Sequence, residues 1–341
     1  MGNPLRILVT GGAGYIGSVV VQALVRANHQ VLVYDNLSRG HAAAVPPEAE
    51  LVQGDISDRE KLDFLFRRSS LQAVMHFAAS IEAGESMQVP ERYFRNNSAS
   101  TLTLLESMLA NNVKQLVFSS TAALYGNPER VPISEEDPLI PTNAYGASKL
   151  LVEQMLVWMN RIHGLRYCSL RYFNAAGASD DLGEAHQPET HLIPLILQVA
   201  SGQRKAINIF GTNYPTADGT CVRDYIHVRD LALAHILALE ALDSQSRLIY
   251  NLGNGQGFSV RQVIAAAHSV TGCPIPVIEA PPRAGDPAVL IASSEKIRQE
   301  LHWQPKYPQL EQIIEGAWRW LQAHPQGYTT TGREEQVQCP A

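Results

Sequence analysis

The chain has 341 residues with 33 acidic and 27 basic side chains, a net charge of −6. That length can bury the core of one large or two medium domains, and the acidic balance gives no electrostatic case for nucleic acid. Apolar runs fall short of the ~20 residues a membrane span needs, no charged-then-apolar leader opens the chain, and the four widely spaced cysteines, Cys168, Cys221, Cys273 and Cys339, predict reduced thiols in a cytoplasmic protein.

Leu5 to Thr10 reads as a short buried strand. It runs into Gly11-Gly12-Ala13-Gly14-Tyr15-Ile16-Gly17 and then an apolar-periodic stretch from Val19 to Val25. Strand, glycine turn and helix in this order predict a phosphate cradle. Gly11 permits the tight turn, Gly14 lets the backbone approach a pyrophosphate, Gly17 lets the helix pack on the strand, and the helix N-terminus offers unpaired amides. A second strand, Val31 to Tyr34, ends at Asp35, about 18 residues past the last glycine, where an acid would accept a ribose hydroxyl and repel a 2′-phosphate. This favours NAD over NADP, although Asp35 could equally cap a turn.

Further strands follow at the spacing of βαβ units: Glu50 to Gln53, Ala73 to Ala79, Gln115 to Ser119 and Leu165 to Tyr172. Asp55-Ile56 falls where an adenine would be gripped, and Phe77-Ala78-Ala79 where the pyrophosphate and nicotinamide would pass. His76 reads as a core residue. Between the last two strands, Tyr145 and Lys149 stand four apart on a predicted helix, which puts a phenol and an ammonium on one face. An unperturbed tyrosine, with a pKa of ~10, costs ~4 kcal/mol to ionise at pH 7. A lysine charge about 6 Å away at an effective dielectric of ~20 would return roughly 3 kcal/mol of it.

From Asn174 the character changes to dense Gly, Pro, Asp and Asn loops with shorter elements between them. Helices are expected over Pro194 to Ser201, Asp230 to Leu242, Val260 to Val270 and Leu310 to Leu321, and an extended segment over Leu248 to Leu252. The pattern predicts a doubly wound parallel α/β sheet over residues 1–173, with segments near 223–256 returning to it. A smaller, interleaved substrate domain is expected over 174–325, and a poorly ordered tail over 327–341. No zinc or calcium motif stands out, so no metal is expected.

Beyond the glycine loop, Asp35 and Tyr-xxx-Lys, several segments occur in a telling order. They are Phe118-Ser119-Ser120-Thr121-Ala122-Ala123-Leu124-Tyr125-Gly126, Arg171-Tyr172-Phe173-Asn174, Tyr214-Pro215-Thr216, Arg223-Asp224-Tyr225-Ile226-His227-Val228 and Arg283-Ala284-Gly285-Asp286. With these the chain resembles the extended short-chain dehydrogenase/reductase superfamily, and within it the UDP-hexose 4-epimerases. The resemblance implies a Rossmann-type fold, bound NAD, a UDP-hexose substrate, interconversion of UDP-galactose and UDP-glucose, and a homodimer. Helices over Pro90 to Ala110 and Tyr145 to His163, carrying Leu102, Leu105, Leu109, Met155, Leu156 and Met159, would pair across it.

It also implies roles. Tyr145 would be the base and acid, Lys149 would hold the nicotinamide ribose, and Thr121 would hydrogen-bond the reacting sugar oxygen. The cofactor set would be Gly11, Gly14, Tyr15, Ile16, Gly17, Asp35, Asn36, Asp55, Ile56, Phe77, Ala78, Ala79, Asn97, Ser119 and Phe173 together with Tyr145 and Lys149. Substrate contacts would fall to Asn174 at the diphosphate, Phe210, Arg223 and Arg283 at uridine and phosphate, Asp286 at a ribose, Leu192 on the sugar side, and Leu290 beside the sugar's 2-substituent. Simpler jobs compete for these residues: Thr121 capping its turn, Arg223 pairing with Asp224, Arg283 as a solvated charge. The sequence departs from the family at Ile81, where some relatives carry a phosphate-touching lysine, and at His191, where asparagine is common. Ala122 and Ala123 stand where dehydratases of the superfamily carry an Asp-Glu pair, which argues against dehydration. A related UDP-N-acetylglucosamine or UDP-glucuronate epimerase, and a non-catalytic NAD-binding regulator, are the competing readings.

Overall fold

The computed structural model describes residues 4–283 and 286–328. Seven strands form one parallel sheet in the order 247–252, 166–172, 115–121, 73–76, 6–10, 30–35, 50–53. The first strand, Arg6–Thr10, lies between Gln30–Asp35 and Ala73–His76, with Leu8 opposite both Leu32 and Val74. The chain therefore reverses direction of travel across the sheet at this point. Two neighbouring loops diverge there and leave a crevice at the carboxyl ends of the strands. Both faces of the sheet are covered. Helices Tyr15–Arg26 and Val228–Ala241 close one side over Val9, Val33 and Leu170; helices Arg59–Ser69, Ser100–Ala110 and Ala144–His163 close the other over Leu8, Leu32 and Leu116. Burial on both faces explains why these strands are continuous apolar runs rather than alternating ones.

Strand Arg247–Leu252 joins the large sheet beside Arg166–Tyr172. The remainder forms a second body. Strand Val222–His227 is flanked by Gly257–Ser259 and Val289–Leu290 and also pairs with Asn174–Ala176, while Ile207–Phe210 pairs with Val277–Ala280. Helices Leu192–Ala200, Val260–Thr271 and Leu310–Ala323 enclose a separate core around Ile196, Val263 and Ile313.

Three expectations need correction. The single helix read over Pro90 to Ala110 is three pieces, Pro90–Tyr93, a π-helical turn Phe94–Ala99, and Ser100–Ala110. Its wide turn carries the adjacent Asn96 and Asn97 beside the crevice, a position in which π-turns often occur. The tail read from 327 begins too early, because the Tyr328 hydroxyl bonds both the amide and the carbonyl of Gly183 and its ring packs on Trp320 and His41. Positions 329–341 lie outside the described residues. Cys168 and Cys221 are free thiols, but Cys273 is disulfide-bonded, since spacing along a sequence does not report which cysteines the chain path brings together. No helix among the described residues is long and apolar enough to cross a membrane.

Candidate active site

The crevice is a cleft of about 660 Å³, within the range of small-molecule sites. At one end lies the glycine turn. Helix Tyr15–Arg26 starts at Gly14 with no side-chain cap and no acid in its first turn, so its leading amides are left for an anion. A Cβ on Gly17 would stand 2.2 Å from the Gly11 carbonyl oxygen, whereas one on Gly14 would meet nothing nearer than 3.3 Å in the protein. Gly17 is thus required by the fold itself, and Gly14 leaves space that a diphosphate can fill. Asp35 is buried; one carboxylate oxygen accepts from the Ala13 amide at 3.0 Å and the other from Leu37 at 2.8 Å. Burial pushes its pKa up and these amides pull it back. It caps the turn, as the simpler reading has it, and still faces the cleft with unused lone pairs. Asp55 receives Asn36 at 2.8 Å and the Ser57 amide and hydroxyl. These groups fit a dinucleotide: room and amides for the phosphates, and acceptors for ribose hydroxyls.

Near the middle, strand Gln115–Thr121 and helix Ala144–His163 deliver Ser119, Thr121, Tyr145 and Lys149 to the same wall. Asn143 caps the helix by accepting from the Gly146 amide at 2.8 Å, which fixes where its first turn begins and hence where Tyr145 points. The Thr121 oxygen accepts from the Ala123 amide at 3.1 Å, so it is a cap, and its own proton is directed to the Tyr145 phenol on the cleft wall. Lys149 is almost fully buried; its ammonium donates to the Ser119 carbonyl at 2.8 Å and lies 4.9 Å over the Phe118 ring.

The electrostatics differ from the sequence expectation. Burial raises the Tyr145 pKa, the hydrogen bond with Thr121 lowers it, and Glu82 raises it further. Lys149 is itself pushed down to about 7 by burial. The helical spacing brings phenol and amine to one face, but Thr121 rather than the lysine charge eases the phenol's ionisation in the ligand-free chain. A desolvated ammonium loses the charge on which the simple Coulomb argument relied.

A buried ion pair backs this wall. Arg171 meets Glu153 at 2.6 Å, with 3% and 6% of the side chains exposed. Glu153 also accepts from Ser120 at 2.6 Å, and Arg171 donates to the Tyr125 hydroxyl at 2.8 Å. Glu153 sits one turn beyond Lys149, so the pair ties the helix of Tyr145 to strand Arg166–Tyr172, and the Ser120 hydroxyl ties the same carboxylate to the strand of Thr121. The i+4 continuation Tyr145, Lys149, Glu153 was available in the sequence as a signal for it.

Tyr15, Ile16, Ile56, Phe77, Ala78, Ala79, Phe173, Asn174 and Leu192 also line the cleft. Asn97 does not. Its amide is buried behind the wall, accepting from the Ser80 amide at 2.8 Å and donating to the Ser80 carbonyl and the Ser148 hydroxyl, so it braces the loop after Ala79 against the helix of Tyr145. The π-turn, invisible in the sequence, turns it inward. Phe210, Arg223, Arg283, Asp286 and Leu290 lie outside this lining and gather in the second body. Arg223 pairs with Asp286 at 2.6 Å rather than with Asp224, and Arg283 lies 4.1 Å over the Phe210 ring. Leu290 stands opposite Arg223 in the strand pairing. Asp224 turns inward to the amides of Asn254, Gly255 and Ala292, and burial raises its pKa to about 6. His76 is sealed between Thr10 at 2.7 Å and Thr101 at 2.8 Å, and His227 stacks on Tyr307, so both are structural. Ile81 leaves its place without a cation, while Arg92 and Arg95 line the cleft near it.

The family model described as NAD dependent epimerase/dehydratase family matches residues 7–253. A UDP-glucose 4-epimerase of Halalkalibacterium halodurans is 54% identical over 97% of this chain and 100% of its own length. Among solved structures, the Brucella ovis UDP-glucose 4-epimerase in complex with NAD is 43% identical with a TM-score of 0.90, covering 92% of this chain and 98% of the other. The Bifidobacterium longum enzyme in complex with NAD+ and UDP is 36% identical with a TM-score of 0.91, covering 95% and 100%.

Proposed function

Because this chain belongs to the NAD-dependent epimerase/dehydratase family, we propose that it interconverts UDP-glucose and UDP-galactose through transient oxidation at the sugar's C4. The observation that carries this reading is the meeting of Thr121, Tyr145 and Lys149 in the same cleft as the glycine turn. NAD, when bound, supplies an acceptor for the hydride of C4 and returns it.

The chain's own residues do the rest. Tyr145 takes the proton of the 4-hydroxyl and later gives it back, and the Thr121 hydroxyl donates to the same oxygen and stabilises charge that develops on it. Lys149, which already donates to the Ser119 carbonyl, would hold the nicotinamide ribose, and with its pKa pushed down to about 7 only part of it is charged at neutral pH. Between the two half-reactions the 4-keto sugar must present its other face. An anchor on the nucleotide permits this: Phe210, Arg223, Arg283 and Asp286 hold uridine and diphosphate while the sugar stays loose beside Asn174 and Leu192. Remote binding energy then commits the substrate without immobilising the reacting carbon.

In this reading residues 1–173 with 223–256 form the NAD-holding body, and 174–325 mainly the nucleotide-sugar body. The protein is a cytoplasmic homodimer; helix Ala144–His163 supports the dimer by exposing Leu151, Trp158 and Ile162 along one stripe, at 41%, 58% and 65%. Of the residues first considered for that contact, Leu105 and Leu156 are buried within the subunit. The test is Tyr145→Phe, which should lower turnover of UDP-galactose by roughly 10²–10⁴-fold while NAD stays bound. Activity retained within about tenfold would reject Tyr145 as the base.

A further inference from the structure

The loop leading into helix Leu192–Ala200 carries Glu184, His186, Glu189 and His191, a Glu-x-His-x-x-Glu-x-His run in which one donor atom from each side chain lies within 4.8 Å of the others. The arrangement is unusual for a pair of acids. The side chains of Glu184 and Glu189 are only 7% and 6% exposed, and among the described ion pairs neither has a lysine or arginine partner. Among the described residues, the cations paired with them are imidazoles. His191 Nδ1 lies 2.7 Å from Glu184 and 3.0 Å from Glu189, and His186 Nδ1 lies 2.9 Å from the same Glu184 oxygen. A single N–H cannot serve two carboxylates fully. Two acids so removed from water need a compensating charge.

We propose that these four side chains bind one divalent transition-metal ion of the zinc class. Two imidazole nitrogens and two carboxylate oxygens make a closed four-coordinate set, with bonds of about 2.0–2.2 Å reached by small side-chain movements. Equal numbers of nitrogen and oxygen donors disfavour magnesium and calcium, which take oxygen. The surroundings are those of a supported site. The Tyr15 ring meets His186 edge-on at 6.3 Å, and the Tyr15 hydroxyl is fixed on the Gly177 carbonyl at 2.6 Å. Glu184 and His186 face both the large cleft and an adjoining pocket of about 220 Å³.

The ion would tie down the loop that walls the cleft immediately before Leu192, so it acts as a brace and takes no part in proton or hydride transfer. The proposal does not rest on the epimerase reading, because metal content is measured without substrate. Full-length protein, stripped with a chelator, is titrated with Zn²⁺ and Co²⁺ and its metal counted by mass spectrometry. About one equivalent per chain is expected, with the visible absorption of four-coordinate cobalt. Glu184→Gln, His186→Ala and His191→Asn should each weaken uptake by about tenfold or more, and NAD binding by the same samples reports that the fold survives. Failure of the wild-type chain to take up a stoichiometric ion overturns the proposal. So does uptake that is unchanged in all three variants.

Discussion

The two ends of the candidate site are built differently. At the cofactor end, each group is held at least in part by a residue two positions on: Asp35 on Leu37, with the Ala13 amide of the glycine turn added, Asp55 on Ser57, Thr121 on Ala123. At the nucleotide end, the groups come from three separated segments and hold one another, Arg223 on Asp286 and Arg283 on Phe210. A contiguous motif can preform its site because short-range geometry fixes it. A site assembled from distant strands and loops must instead trade internal contacts for ligand contacts when the ligand arrives, which suits an anchor that has to release product on every turnover.

The largest effect that would separate the two ends is expected at Glu153. Removing it by Glu153→Ala leaves Arg171 buried and unpaired, which should cost about 3–5 kcal/mol of stability in denaturant unfolding. Tyr145 and Thr121 should lose their alignment with it, while binding of free UDP at the other end is spared in whatever remains folded. An unfolding midpoint equal to that of the wild type would show that the pair does not fasten helix to strand.

Acid sharpens the contrast next. Burial lowers the pKa of His76 to about 3 and of His227 and His235 to about 4. The unfolded chain therefore binds more protons than the folded one below pH 6.5, and the stability these residues contribute is present above that pH and lost as pH falls. Each contributes about 1.4 kcal/mol per pH unit. Asp224, raised to about 6, works the other way between about pH 6 and 4. These four groups together give a loss of about 3 kcal/mol per unit in that window, seen as a falling melting temperature. His76 and His235 both sit in the body of the large sheet, so the tyrosine and tryptophan signals of that body should change first. A melting temperature flat from pH 6.5 to 4 would contradict the buried neutral state of these rings.

The smallest effect belongs to Arg283, which is exposed and leans on Phe210. Arg283→Ala should raise KM for UDP-galactose by roughly 10–100-fold, the value of one charge-assisted hydrogen bond or two, with kcat little changed. A fall in kcat at constant KM would place Arg283 at the reacting sugar instead of the anchor.

How much of this was legible in the sequence follows the same division. Strand, glycine turn, Asp35 and Tyr145/Lys149 could be read because each depends on residues a few positions apart. Asn97 was placed at the cofactor because the π-turn that takes it behind the wall has no local signature. Lys149 was expected to act as a full charge because burial, which depends on the whole fold, cannot be read from a spacing of four. Strands Ile207–Phe210 and Val277–Ala280 went unnoticed, each only four residues long and stabilised by a partner about 70 positions away. The Glu184 to His191 run was in plain view as a spacing. It passed as a loop because only the folded chain brings its four donors together.

The most direct measurement follows the atom on which the account turns. UDP-galactose carrying deuterium at C4 is incubated in ordinary water with protein as purified and no added nucleotide. The expected product is UDP-glucose that keeps its deuterium at C4. Loss of the label to solvent, or no conversion by protein shown to carry bound NAD, would contradict it.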